Sequence, residues 1–283
     1  QACDAVGVPV FGSVPRNDEL SVPSRHLGLV TAAEHAERAQ AAVAAMTALV
    51  GRHVDLAAVG ALAASEVSGP PWSPADAVGD PVDGSPVVAV AAGSAFTFGY
   101  AERDELLRAA GAEPVAFDPL TGTLPSGSAA LVLPGGFPEL YGEQLAANDV
   151  VRAQIRDLAA GAPVHAECGG LTYLMSDLDG HPMCGVLAGT ARFTQRLTLG
   201  YRDAVAAADS ALYDTGQRVT GHEFHRTTVE FADDVQPAWL PSGEGAIRAG
   251  VHASYLHTHP AGAPGATRRF VERAAATRVL SRG

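Results

Sequence analysis

The chain has 283 residues, 47% of them hydrophobic, with 19 basic and 31 acidic side chains and a formal charge of −12. That length can bury a sizeable core and leaves room for two domains, while the acidic balance argues against a nucleic-acid binder, which needs a basic face for counterion release. No apolar run reaches the roughly 18 to 20 residues of a membrane helix, and no basic-then-apolar leader opens the chain, so a cytoplasmic protein with small-molecule partners and no membrane partner is expected.

Cys3, Cys168 and Cys184 are odd in number and widely spaced, which fits neither a disulfide framework nor a C-x-x-C metal knuckle. All 19 basic residues are arginine. Without lysine, a phosphate-cradling G-x-x-x-x-G-K-[ST] loop cannot be built. The opening "QACDAVGVPVFGSVPR" reads like a helix end running into the next strand of an α/β domain already under way, so the chain is expected to be a piece of a longer protein.

Along the chain, "GVPVFG" (7–12) predicts a short strand, and the helical spacing of Ala, Leu, Met and Val predicts a helix over 31–49. A shorter helix over 54–64 is expected to open at Asp55. Residues 65–86 are dense in Pro, Gly, Ser and Asp, without periodicity, and predict a linker. Strands then alternate with helices: strands over 87–92, 113–118, 129–134 and 163–166, helices over 100–111 and 149–160, and a further helix just past Cys168. This alternation predicts a mainly parallel sheet covered by helices. Residues 191–207, 217–231 and 246–257 alternate like antiparallel strands, and 262–280 closes as a helix.

Three stretches carry candidate chemistry. In "PVHAECGGLTYL" (163–174) a cysteine follows a strand and precedes two glycines and a helix. That order suits a nucleophile on a sharp strand-to-helix turn, with the helix N-terminus favouring a thiolate, although the same pattern fits a small buried thiol. The adjacent Glu167 opposes a thiolate unless its side chain points away. "LVLPGGFPELY" (131–141) ends a strand in Pro134-Gly135-Gly136, where backbone N–H groups of Gly136 and Gly169 can form an oxyanion hole; alone it is an ordinary glycine turn. "GVHASYLHTHP" (250–260) supplies His257 as a candidate base, with His259 on the same strand face by period-two alternation. A metal site joining this pair to His222 or His225 is the weaker reading, because no carboxylate cluster accompanies them.

Taken together, "PGGFPELY", "AECGGLTYL", "GHEFHR" and "ASYLHTH", in this order and at these intervals, resemble the class I glutamine amidotransferase domain of cobyrinic (hydrogenobyrinic) acid a,c-diamide synthases. Upstream, "VPVFGSVPRNDELSVPSRHLGLVTAAEH" resembles the last third of that family's dethiobiotin-synthetase-like, P-loop ATP-dependent domain. The resemblance implies an α/β, flavodoxin-like amidotransferase domain over 87–283, a linker over 65–86, and a C-terminal remnant of the synthetase domain over 1–64.

It further implies Cys168 as nucleophile, His257 as proton carrier, Gly136 and Gly169 as oxyanion donors and no metal ligands, with glutamine and cobyrinate or hydrogenobyrinate as substrates. ATP and Mg2+ would serve the full enzyme, none being bound tightly by this chain. Val14 and Pro15 match a loop that touches adenine, and Arg25 is the candidate for the corrinoid carboxylates. An N-terminal synthetase portion and a second copy of the chain are the implied partners. Cobyric acid synthase, or a non-catalytic fragment binding a corrinoid or a synthetase chain, are the alternatives. Two departures stand out. The position two residues after the histidine, a glutamate in many class I amidotransferases, is His259. Gly93 stands where many relatives have an aspartate.

Overall fold

A computed structural model of the chain describes residues 2–17, 36–63 and 68–277. They fall into two compact units, residues 1–72 and 73–283. The first holds helices α1 (Ala2–Ala5), α2 (Ala36–His53) and α3 (Leu56–Leu62). Asp55 caps α3 as its sequence predicts, its carboxylate accepting the Ala58 N–H at 3.0 Å. The strand expected over 7–12 does not form: among the described residues only Gly12 pairs, with Val54, and Val8 and Val10 are exposed. A strand needs a neighbour to satisfy its backbone, and apolar composition alone does not supply one. Val43, Met46 and Val50 of α2, with Leu56, Val59 and Leu62 of α3, are also exposed.

The second unit begins with α4 (Pro74–Val78), capped by Ser73, inside the stretch expected to be a linker. Its Val78 is buried, and Arg268 donates to the carbonyls of Val78 (2.8 Å) and Asp80 (2.7 Å), so this part of 65–86 is packed structure. There follow β1 (Val87–Ala91), α5 (Ala101–Ala109), β2 (Glu113–Phe117), β3 (Ser128–Leu133), α6 (Gly142–Ala147), α7 (Asp149–Ala159), β4 (Val164–Glu167), α8 (Gly169–Leu174), β5 (Met175–Leu178), β6 (His181–Pro182), β7 (Leu187–Ala206), β8 (Arg218–Phe231), β9 (Trp239–Leu240), β10 (Ala246–Arg248), β11 (Val251–Ser254) and α9 (Pro264–Ala276).

Six strands form the main sheet in the order β10-β11-β4-β3-β1-β2. All pairings are parallel except β10 with β11. The stretch 246–257, expected to be antiparallel throughout, therefore splits: β10 is antiparallel, but Val251 to Ser254 run parallel to Val164 to Glu167. The other two late stretches do form an antiparallel pair, β7 with β8, in a second sheet ordered β6-β5-β7-β8 with β9 on β7.

The apolar runs of β1 and β3 are buried on both faces, as strands covered by helices on two sides must be. Ala89, Ala91, Leu131 and Leu133 face one core with Val151 and Ile155 of α7; Val88, Val90, Ala130 and Val132 face the other with Leu106, Leu107, Phe270 and Val271. On α7 the buried Val151, Ile155 and Ala159 recur every four residues, and burying each larger aliphatic side chain stabilises by about 1.5–3 kcal/mol. Asn148 starts that helix, accepting the Val151 N–H at 3.3 Å while its amide donates to Pro119 and Gly122 carbonyls at 3.0 and 2.9 Å.

Because β1, β3, β4 and β11 are parallel, the loops that follow them leave one edge of the sheet, where ligands bind in such folds. Glycines set how closely those loops approach. A Cβ on Gly170 would lie 2.2 Å from the Leu133 carbonyl oxygen, and one on Gly136 2.0 Å from the Ala95 carbonyl oxygen. Both neighbours are backbone and cannot yield without moving a strand or loop. Gly170→Ala is therefore expected to lower unfolding stability by about 1–3 kcal/mol, read as a lower urea midpoint at unchanged slope; an unaltered midpoint would contradict this packing.

Candidate active site

Cys168 lies between β4 and α8 with φ +50° and ψ −105°, a conformation that a non-glycine residue rarely adopts. It is held there by its neighbours. Its N–H donates to the Ser254 carbonyl at 2.7 Å, and its carbonyl accepts the Leu171 N–H at 3.0 Å. The order strand, cysteine, two glycines, helix expected from the sequence is the order found. The thiol is buried. Burial pushes its pKa far up and the Glu139 carboxylate adds to this, while the Gly169 N–H works in the opposite direction. The helix N-terminus therefore does not produce a resting thiolate; desolvation outweighs it.

The two glycine pairs meet at this cysteine. A Cβ on Gly169 would sit 3.0 Å from the Gly136 oxygen and 3.1 Å from its nitrogen, so the backbones of the two expected oxyanion donors adjoin. A Cβ on Gly135 would lie 2.5 Å from His257 Cε1 and 3.4 Å from its Nε2. The first glycine of the pair thus leaves room for the imidazole, and the second brings its backbone against the cysteine turn.

His257 is 5% exposed. Its backbone pairs with that of His222 in both directions, at 2.8 and 3.0 Å, and the two rings stack with centroids 5.0 Å apart. The Cε1–Nε2 side of the ring faces Gly135, and Nδ1 lies 3.9 Å from Glu167 Oε2. Burial holds the imidazole below its ordinary pKa against the attraction of Glu167, so it is neutral at pH 7. His259 does not share this face. Strand β11 ends at Ser254, the period-two alternation lapses, and His259 is exposed, its Nδ1 accepting the Ala261 N–H at 3.3 Å and its ring 4.5 Å from that of Tyr100.

Glu167, next to the cysteine in sequence, points away from it. Its Oε1 accepts the Thr258 N–H at 3.1 Å and the Thr258 hydroxyl at 3.2 Å, and lies 3.4 Å from His165 Nε2. Burial alone would raise its pKa, but the His165 imidazole, then His257 and the Thr258 N–H, hold it at about 2.

Glu244, in the turn between β9 and β10, is a second, half-buried carboxylate, and nothing in its sequence setting marks it. Its Oε2 accepts the Ser254 hydroxyl at 2.7 Å and its Oε1 the Tyr255 N–H at 2.6 Å, fixing the bend that carries the chain from β11 to His257. Burial lifts it to about 7, as it does Glu139.

Of the remaining expected residues, Val14 and Pro15 are exposed in the first unit, and Arg25 lies outside the described residues. His222 and His225 gather no metal set: among the described residues no group of three or more His, Cys, Asp or Glu is placed to hold an ion. His225 instead stacks on Tyr255 at 3.7 Å between centroids. Gly93 has a physical reason absent from its sequence: it adopts φ +90°, and a Cβ there would fall 2.6 Å from the Asp118 carboxyl carbon. No helix among the described residues is long and apolar enough to cross a membrane.

Residues 87–264 match the CobB/CobQ-like glutamine amidotransferase domain. The chain is 64% identical to a hydrogenobyrinate a,c-diamide synthase of Mycobacterium bovis over 97% of its own length and 62% of the relative's. It is 51% identical to the enzyme of that name from Streptomyces coelicolor, over 96% of this chain and 64% of the relative. A cobyrinate a,c-diamide synthase of Synechococcus is 35% identical over 99% of this chain and 64% of the relative. The chain thus spans somewhat less than two thirds of these relatives. The matched residues lie in the second unit, and the chain belongs to the CobB/CobQ-like glutamine amidotransferase family.

Proposed function

We propose that this chain supplies the glutaminase half of a cobyrinate or hydrogenobyrinate a,c-diamide synthase. The observation that carries the reading is the left-handed Cys168 turn packed through Gly169 and Gly136 onto the loop that accommodates His257. The names of the relatives support the substrate class.

The Cys168 thiol is protonated at rest, so the reaction begins with its proton moving to neutral His257 as the sulfur attacks the side-chain amide carbon of glutamine. The N–H groups of Gly136 and Gly169 receive the oxyanion. His257 returns the proton to the departing nitrogen, the C–N bond breaks, and ammonia leaves a glutamyl thioester on Cys168. Water, deprotonated by His257, then attacks the thioester, giving glutamate and restoring the thiol.

The ammonia would amidate the a and c acetate side chains of the corrinoid in the synthetase half. ATP and Mg2+ belong to that half. The chain has no lysine for a phosphate loop, so it does not by itself cradle the triphosphate, and no step here uses either group. Val14 and Pro15 at the nucleotide and Arg25 at the corrinoid carboxylates are proposed contacts in the assembled enzyme.

Replacing Cys168 by Ala is expected to lower glutamine hydrolysis at least about 10³-fold, measured as ammonia release; unchanged turnover would end this reading. His257→Asn is expected to cost about 10²–10⁴-fold. The pH dependence has a definite sign. A base whose pKa is lowered stays deprotonated to lower pH, so the acid limb of kcat/KM for glutamine is expected below 6.5, the ordinary imidazole value. A limb above 6.5 would contradict the buried, neutral His257.

A further inference from the structure

We propose that Glu167 is the positioning residue for His257, filling by way of the nucleophile's own strand the place that His259 leaves vacant. The inference rests on the glutaminase reading above and deepens it. Glu167 Oε2 is 3.9 Å from His257 Nδ1, while Oε1 is engaged by the Thr258 N–H, the Thr258 hydroxyl and His165. The carboxylate is thus anchored through one oxygen, leaving the other toward the imidazole. Its Cα pairs with Ser254 in the parallel ladder, three residues before His257.

Three features separate this role from mere burial of a polar group. First, the imidazole presents Nδ1 to Glu167 while Gly135 adjoins its Cε1 and Nε2, so an Nδ1–H tautomer leaves Nε2 unprotonated as the acceptor for the thiol proton. Second, Thr258 directly follows His257 and donates twice to the same carboxylate, so Glu167 fixes the backbone of the histidine segment as well as facing its ring. Third, the Glu167 carboxylate is drawn to Thr258, His165 and the His257 ring, and its charge opposes the sulfur less than burial and Glu139 do. The separation of 3.9 Å exceeds a hydrogen bond; it closes as the imidazole gains its proton and the pair becomes an ion pair in a buried setting.

The charged and titratable groups facing this pair are few. Glu167 meets His165 on its own strand, the Cys168 thiol, His252 of β11, Tyr100 before α5 and Tyr213 between β7 and β8; His257 meets His222 and His225 of β8 and His165 of β4. Of these, only Glu167 brings a negative charge that raises the His257 pKa. Glu167→Gln keeps an acceptor for Thr258 and removes that charge.

The test uses the whole chain with two independent readouts. In glutamine hydrolysis, Glu167→Gln is expected to lower kcat by about 10- to 1000-fold with little change in KM, and to move the acid limb of kcat/KM to lower pH. Glu167→Asp, which retains the charge, is expected to restore part of kcat and of the limb. By NMR of labelled histidine, the parent is expected to show His257 as the Nδ1–H tautomer, with its titration displaced to lower pH in Glu167→Gln. That displacement is read whether or not the chain turns over glutamine. An unchanged His257 titration, or a parent Nε2–H tautomer, would overturn the positioning role even in an active enzyme. A silent parent enzyme with the expected titration would overturn the glutaminase reading and leave the pairing standing.

Discussion

The hydrogen bond from the Cys168 N–H to the Ser254 carbonyl, 2.7 Å long, ties together two segments that are far apart in the chain. One is the nucleophile turn after β4, the other the end of β11, from which the chain bends to His257. Strand β11 reaches this place after the whole β7–β8 ribbon has intervened, and it enters parallel to β4 with Ser254 opposite Glu167. Strand residues advance by about 3.3 Å, so a slip of two positions would carry His257 about 7 Å along the edge. The register of this one pairing therefore decides whether the site exists. Glu244 guards it by accepting from both Ser254 and Tyr255 at the bend.

Electrostatics around the sulfur work in two directions. Burial and the carboxylate of Glu139 keep the thiol protonated, with Glu167 and Glu244 adding smaller effects of the same sign. A neutral thiol is a poor target for oxidation and for chance electrophiles, because the thiolate is the reactive form. The nucleophile is then generated only when a substrate lies close enough for the proton to pass to His257. Keeping that imidazole neutral at rest is what permits the transfer, and its burial against His222 and Gly135 does so.

Much of the second unit was legible because local pattern and tertiary outcome agree. The runs at 87–92 and 129–134 are apolar on both faces and became central strands, and the four-residue spacing of Val151, Ile155 and Ala159 became the buried stripe of a helix. Pro134-Gly135-Gly136 was legible as a turn and Gly169-Gly170 as the entry to a helix, with their approach to one sheet edge a consequence of parallel topology. Elsewhere partners decide. Residues 7–12 have strand composition without a ladder, and 73–78 have linker composition but gain a cap at Ser73 and an arginine from α9. Alternation across 257–259 assumed a strand that had already ended at Ser254. The destinations of Glu167 and Glu244 depend on segments about ninety and ten residues away, contacts that no local pattern encodes. Gly93 likewise answers to Asp118 in the loop between β2 and β3.

The account stands on Cys168 being the group that glutamine reaches, and the chain carries its own controls in exposed Cys3 and buried Cys184. A glutamine-analogue electrophile, with the modified peptide located by mass spectrometry, tests this most directly. The expected result is a single adduct on Cys168 that glutamine suppresses, with Cys3 and Cys184 unmodified. An adduct on Cys3 or Cys184 alone, or labelling of Cys168 that glutamine does not suppress, would contradict it.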